Sequence, residues 1–203
     1  LLEKQEHPRQ KLCGGAISPR TYSLLGPDVD QVLDRKINAG VVCLPTNRSI
    51  SCVKPEITAG TVKRSTLDFH LLKKAEKAGA EVIQNISILS AEHVKKAVRV
   101  LAKGDSFRTK LLIGADGVNS TIARSVHIRS KWKEDRVALC IAADVPMESG
   151  EIERILAIPE DNATLPLEVY PWATDGGYGW CFPRKEEISI GIGAPMNKLV
   201  DLR

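Results

Sequence analysis

The sequence predicts a mixed α/β fold. One clear amphipathic helix is followed at once by a run of short alternating strands. The second half of the chain then reads as strand after strand with tight turns. With 203 residues, 43% of them hydrophobic and 27% charged, the chain is long enough for one or two domains, each with its own core. No internal repeat or low-complexity segment interrupts this reading.

The elements follow in order. Leu1-Leu2-Glu3 reads as the last residues of a strand. Residues 4–21 are polar and rich in Gly and Pro, which predicts a loop. "DVDQVLDRKI" predicts a short helix starting near Asp28. In "AGVVCLPTNRSISCV" two β-rich runs flank Thr46-Asn47-Arg48-Ser49, a hairpin signal. With Asn47-Arg48 as a two-residue loop, Cys43 faces Cys52 at a non-hydrogen-bonded site, with Cα atoms about 4.5 Å apart. A disulfide then fits the geometry, although the compartment argues against it.

"STLDFHLLKKAEKAGAEV" is the clearest helix, with Ser65 or Thr66 as its cap. Leu67, Leu71, Leu72 and Ala75 form its apolar face, and Gly79 ends it. Strands are expected around Val82-Ile83, Ile86–Ala91, Lys96–Leu101 and Phe107–Ile113, with a turn at Lys103-Gly104-Asp105. A short helix starts at Asn119 or Ser120 and ends near Val126. "RVALCIAADVPM", "ATLPLEVYPW", "GYGWCFP" and "EISIGIGAP" complete the β-rich second half.

Composition narrows the function. The net charge of +4 arises from 29 basic and 25 acidic residues spread along the chain. No basic block stands out, so nucleic acid is not expected as a partner, while contact with an anionic membrane surface stays open. The five cysteines, Cys13, Cys43, Cys52, Cys140 and Cys181, are odd in number and contain no CxxC. That argues against a metal site or a full disulfide framework and favours a reducing, cytoplasmic location. No apolar run approaches the roughly 20 residues of a membrane helix.

Among chemical motifs, the phosphate-binding G-x-G-x-x-G has one partial match, Gly191-Ile192-Gly193. It lacks the third glycine, and Pro195 spoils the helix that should follow, so a strand end is the better reading. "LLIGADGVNSTIARS" at 111–125 is more promising. Gly114 and Gly117 allow a sharp turn and close approach. Asp116 can accept hydrogen bonds from hydroxyls or amides, and the helix start after it offers N–H groups to an anion. An Asp-Gly turn between a strand and a helix is common, however.

Its neighbours add weight. "LLIGADGVNSTIAR" resembles the Asp-Gly motif of flavoproteins that use FAD with NAD(P)H. "KLCGGAIS" is similar to the Lys-Pro-Cys-Gly-Gly stretch of the geranylgeranyl reductase branch. "KRSTLDFHLLKKAEKAGAEV" is similar to that branch's Arg-x-x-Leu/Phe-Asp-x-x-Leu helix, and "YGWCFP" to its Tyr-x-Trp-x-Phe-Pro segment. The matches keep the family order and span nearly the whole chain. Leu12 replaces the usual Pro, and Asp175 stands where the family often has a Pro before the Tyr.

The resemblance implies roles position by position. Glu3 would bond ribose hydroxyls at a strand end. Cys13, Gly14 and Ala16 would line the flavin through their backbones, and Cys13 would also be placed to touch substrate or tune the flavin; no other catalytic residue is indicated. Arg64 would contact FAD, and Ile88 would meet the adenine through its backbone. Gly114, Asp116 and Gly117 would lie near the pyrophosphate and the approach path of NAD(P)H. Tyr178, Trp180 and Phe182, on one strand face by alternation, would line a substrate cavity, although an aromatic stripe is usually core.

The expected organisation is a partial FAD-binding part, residues 1–38 and 60–125, with a largely antiparallel β substrate part, residues 39–59 and 126–203, incomplete at its C-terminus. The Gly-rich first βα unit of the family would precede Leu1, so the chain reads as the middle of a reductase and is expected to bind FAD weakly or not at all by itself. The implied activity of the parent is reduction of isoprenoid double bonds in a prenyl lipid, with hydride from NAD(P)H passing through FAD. Two alternatives are an FAD-dependent monooxygenase acting on aromatic rings and a non-catalytic lipid- or partner-binding fragment. Chain length of the substrate, the choice between NADH and NADPH, and the oligomeric state have no sequence signal.

Overall fold

The computed structural model describes residues 1–46, 48–57, 59–156 and 165–201. The strands, in chain order, are β1 (Ala16–Ile17), β2 (Arg35–Ile37), β3 (Ala39–Cys43), β4 (Ser49–Val53), β5 (Ala59–Thr61), β6 (Ile88–Val94), β7 (Ala97–Ala102), β8 (Ser106–Thr109), β9 (Ala138–Pro146), β10 (Leu167–Tyr170), β11 (Tyr178–Pro183) and β12 (Glu187–Pro195). The α-helices are α1 (Pro19–Leu25), α2 (Arg64–Lys77), α3 (Thr121–Ser125) and α4 (Ser149–Leu156). The fold is mixed α/β with several sheets. Packing divides it into two units: Leu1–Arg9 with Leu72–Lys133, and Gln10–Leu71 with Glu134–Arg203.

In the first unit, β6, β7 and β8 form an antiparallel meander in that order, and α3 packs against β6. Ala91, Val100 and Ala102 are buried in it. Leu1–Glu3 pairs briefly and in parallel with Ile83, through Glu3 N to Ile83 O at 2.9 Å and Ile83 N to Leu1 O at 2.9 Å. β8 stops at Thr109 rather than running to Ile113. Its last partner is Val98, next to the start of β7, so the ladder has nothing further to pair with. The Thr109 hydroxyl then bonds both the N–H and the carbonyl of Leu111, a local alternative to the sheet. Leu111 and Ile113 are left exposed.

In the second unit the main sheet has the order β4-β3-β10-β11-β12-β9. Every pairing in it is antiparallel except β3 with β10, which is parallel. A three-stranded sheet, β1-β5-β2, belongs to the same unit. Its core gathers Ile17, Val29, Val62 and Leu67. A second core, Ile152, Leu156, Leu165 and Ile188, joins α4 to the main sheet; burying the fully enclosed Ile152 contributes about 1.5–3 kcal/mol.

Four local expectations are corrected. Cys43 pairs with Ser49, and Cys52 with Gly40, so the two sulfurs do not face each other and both thiols are free. Pro45 has no N–H to give a ladder, and the register places it in the turn, closed by Leu44 N to Arg48 O at 2.8 Å. Asn47 itself, one half of the expected two-residue loop, lies outside the described residues, as do Ala163 and Thr164 at the head of the strand expected in "ATLPLEVYPW". α2 begins at Arg64, with Leu67 N bonded to Lys63 O, so Ser65 and Thr66 are inside its first turn. The earlier start puts Arg64 one turn from Asp68, where they form a two-pronged ion pair. The loop expected over 4–21 contains β1 and the start of α1, which Ser18 caps by accepting from Thr21 N. Finally, the helix expected from Asp28 is a 3-10 turn over Pro27–Val32 that gives way to β2.

Candidate functional site

Strand alternation sets up the site in the second unit. Trp180 is the cross-strand partner of Gly191, Phe182 of Ser189, and Ser189 of Asp144. Partners in a ladder point to the same side, so these side chains and those of Tyr178 and Arg184 share one face. The Cys13-Gly14-Gly15 segment lies on that face. A Cβ on Gly14 would come within 2.9 Å of both Phe182 and Trp180. Gly15 has φ +76, and a Cβ there would sit 2.2 Å from the carbonyl oxygen of Val62. Only glycine fits the second place, and at the first any larger residue would have to displace the two rings. The glycines thus serve the segment's packing on its own sheet, not only ligand approach.

The segment's carbonyls are all held. Arg184 Nη2 donates to Cys13 O at 2.6 Å and to Gly14 O at 3.4 Å. The Ser189 hydroxyl reaches Cys13 O at 3.5 Å, and Val62 N bonds Gly15 O at 3.0 Å. Its donors are not held. Among the described residues no protein acceptor takes the N–H of Cys13, Gly14 or Gly15. The buried Trp180 Nε1–H beside Gly14 also has no partner among them.

Arg184 is 3% exposed. Its Nη1 contacts Asp144 Oδ2 at 3.0 Å and Glu187 Oε1 at 2.5 Å. Burial works against its charge, but the bonds from Glu187 and Asp144 outweigh it and hold the guanidinium more firmly protonated than usual. Arg35 Nε donates to the Arg184 carbonyl at 2.7 Å, so the residue is fixed at both ends.

Arg64 meets the same segment. Asp68 chiefly raises its pKa, and against the opposing effect of burial the Cys13 side chain adds a smaller contribution as a hydrogen-bonding neighbour. Cys13, Gly14, Arg64, Trp180 and Phe182 are therefore brought together. Ala16 lies just beyond, in β1, paired with Thr61. Tyr178, Trp180 and Phe182 form a ladder of rings with centroids 6.1 and 6.3 Å apart. Tyr178, at its far end, is exposed, whereas Trp180 is buried. An open apolar trough of about 410 Å³ lies across the same sheet. Its row of cross-strand partners, Tyr170, Gly179, Ile192 and Ile141, belongs to the opposite face, and of the three aromatics only Trp180 borders it.

The first unit holds the other named residues. Asp116 accepts from the Ser120 hydroxyl and from Ile122 N, and Ser120 accepts from Ala123 N. The N–H groups expected to await an anion at this helix start are thus taken by the protein. Desolvation raises the Asp116 pKa, but the bonds from Ser120 and from backbone N–H groups hold its carboxyl below the usual range. Gly117 has φ +86, and Gly114 packs on Ile122. Glu3 accepts from Gln5 N at 3.0 Å and lies 3.8 Å from His7. Ile88 opens β6 at an irregularity in its pairing with β7, on the strand that α3 packs against.

Sequence reasoning passed over Arg184, Ser189 and Asp144. A signal existed for the first: Arg184 is two residues after Phe182 and four after Trp180, so alternation alone puts it on their face. Among the described residues no cluster of His, Cys, Asp or Glu could hold a metal, and no helix is long and apolar enough to cross a membrane.

No family model matches the chain. It is 27% identical over 200 residues to the digeranylgeranylglycerophospholipid reductase of Methanocaldococcus jannaschii, a match covering 95% of this chain and 48% of that protein. Among solved structures it is similar to a geranylgeranyl bacteriochlorophyll reductase-like protein from Thermoplasma acidophilum, with TM-score 0.76, 20% identity, and coverage of 97% of this chain and 50% of that one. It is also similar to halogenase PltM in complex with phloroglucinol and FAD, with TM-score 0.67, 16% identity, and coverage of 97% and 47%. The chain spans about half the length of the curated relatives it matches.

Proposed function

The chain is a homologue of geranylgeranyl reductases, and from that premise we propose that it forms part of an FAD-dependent oxidoreductase that reduces isoprenoid double bonds of a prenyl lipid. The observation that carries the reading is the Cys13–Gly15 segment: its carbonyls are tied back and its N–H groups are left without protein acceptors among the described residues. Such a row of donors suits the acceptor edge of a flavin ring. Cys13, Gly14 and Ala16 would hold the ring, and Arg64, fixed by Asp68, would stand at its border. In the first unit, Glu3 would take the ribose and the backbone at Ile88 the adenine, while Gly114, Asp116 and Gly117 would lie near the pyrophosphate and the approach path of NAD(P)H.

Bound FAD would supply hydride-transfer chemistry. The chain's own residues bind, orient and exclude water. Tyr178, Trp180 and Phe182 share a sheet face with the Cys13–Gly15 segment. They offer an apolar aromatic wall to a prenyl chain, where each buried CH₂ contributes about 0.8 kcal/mol. By role, residues 1–38 and 60–125 are assigned to the cofactor, and 39–59 with 126–203 to the substrate. In support, the six-stranded sheet is drawn entirely from residues 39–53 and 138–195.

The test is to titrate the full-length oxidoreductase of which this chain is proposed to form part with FAD and with geranylgeranyl diphosphate, then add NADPH or NADH and analyse the prenyl product by mass spectrometry. Flavin quenching and a prenyl product gaining a hydrogen pair per double bond are the expected results. Hydroxylated aromatic product with oxygen uptake would replace this reading by the monooxygenase one. Prenyl-lipid binding with no response to FAD would replace it by a lipid-binding one.

A further inference from the structure

We propose that Arg184 is a positioning residue that aims the N–H groups of Gly14 and Gly15 toward a ligand, by holding the two carbonyls on the other side of their peptide planes. The inference rests on the reading that a flavin ring meets this segment.

The argument begins with the peptide bond. A trans peptide is planar, and its C=O and N–H point in opposite directions. The carbonyl of Cys13 shares a plane with the N–H of Gly14, and the carbonyl of Gly14 with the N–H of Gly15. Arg184 Nη2 bonds both carbonyls, at 2.6 and 3.4 Å. Fixing those two oxygens fixes the direction of the next two N–H groups. The third carbonyl, Gly15 O, is held separately by Val62 N. Gly-Gly is the most pliable dipeptide a chain can have, so without an external restraint these planes would turn freely.

Arginine suits this task and lysine does not. Its planar fork carries several donors in fixed relation. Here Nη1 serves Asp144 and Glu187 while Nη2 serves the two carbonyls. The carboxylates neutralise the buried charge and lock the fork's rotation, and Lys63 in turn contacts Glu187 Oε2 at 3.1 Å. A lysine ammonium is a single point and cannot span both sets. The Asp144 end comes from β9 and the Glu187 end from β12, so the fork takes its orientation from the sheet and passes it to the Cys13–Gly15 segment.

Arg184→Lys keeps the charge beside the two carboxylates and loses the fork. Two measurements read its effect, the first of them on the chain itself. The first uses no ligand: maleimide labelling of Cys13, mapped by peptide mass, with the exposed Cys52 as internal reference. Cys13 in R184K should label about tenfold faster, the loss expected for a charge-assisted bond, with Cys52 unchanged. The second is FAD affinity by fluorescence titration of the full-length oxidoreductase of which the chain is proposed to form part, which should weaken about tenfold at a temperature where wild type and variant are both fully folded by circular dichroism, so that simple loss of stability does not produce it. Should R184K fold too poorly, Glu187→Gln loosens the fork from behind and should raise Cys13 labelling about threefold. Unchanged Cys13 labelling in both variants overturns the proposal whatever FAD does, and equal FAD affinity in wild type and variant removes the role toward the ligand. If the full-length wild type takes up no FAD, the flavin reading fails, while the labelling still decides whether Arg184 holds the segment.

Discussion

The Arg184 guanidinium donates to the carbonyl of Cys13 at 2.6 Å, across 171 positions of sequence. This bond joins two motifs that are far apart in the chain and makes them one surface. Its neighbours give the first expected outcomes.

Gly15→Ala should be more damaging than Gly14→Ala. At Gly15 the new methyl meets a backbone carbonyl at 2.2 Å and the φ of +76 is itself strained. At Gly14 it meets the side chains of Phe182 and Trp180 at 2.9 Å, which can shift. Overpacking costs about 1–3 kcal/mol, so G14A should lower the urea midpoint while leaving a cooperative transition. G15A should lose that transition. Equal midpoints for the two would contradict this geometry.

Asp116→Asn should cost about 1 kcal/mol at neutral pH, the usual value of a helix cap. The sign with pH follows from the shift. The folded carboxyl titrates below its ordinary value of 3.8, so its stabilisation is present above that value and fades as pH falls through the lower, folded one. Urea unfolding of wild type and D116N at pH 7 and again near pH 3 should show the gap narrowing in acid.

Glu168 behaves oppositely. Burial raises its pKa, and the Tyr170 hydroxyl, 2.5 Å away, offsets this only in part. A raised carboxyl contributes fully below the ordinary value of 4.5 and loses that contribution as pH rises through the folded one. Glu168→Gln keeps an acceptor for Tyr170 and has no charge to desolvate. The variant should therefore gain on the wild type as pH rises from 4 toward 8; a constant difference would refute the burial argument.

The five thiols should separate by reactivity. Burial, with smaller contributions from Glu168 and Cys43, pushes Cys181 up to about 12, so it should resist maleimide at pH 8 while the exposed Cys52 and Cys140 react. Mild oxidation should not join Cys43 to Cys52, because each faces another residue across the ladder. Peptide mapping under non-reducing conditions checks both statements.

Some of this was legible from residues alone. Runs of strand formers between turn residues named β3, β4, β9, β11 and β12. The end of α2 was legible because Ala80 N to Ala75 O and Gly79 N to Glu76 O complete a helix-closing motif that glycine favours. The register of the β3–β4 hairpin was not, since it depended on Pro45 entering the turn, and α4 was passed over although Ile152 and Leu156 stand at helical spacing. In the site, the Cys-Gly-Gly and Tyr-x-Trp-x-Phe-Pro stretches could be named but not joined. Their contact depends on which atom of a backbone faces an arginine 171 positions away, and no local pattern encodes that.

The parallel pairing of β3 with β10 bears on how the molecule comes together in time. The β3–β4 hairpin is complete at Val53, yet its inner edge is satisfied only by residues 167–170. During synthesis that edge stays open until residues 167–170 are made. Contacts this distant slow folding and prolong the exposure of an unpaired strand. The exposed Ile50 and Val53 on the partner strand make the waiting hairpin sticky, so production at low temperature or with a chaperone should raise the soluble yield more than changes to the finished surface would.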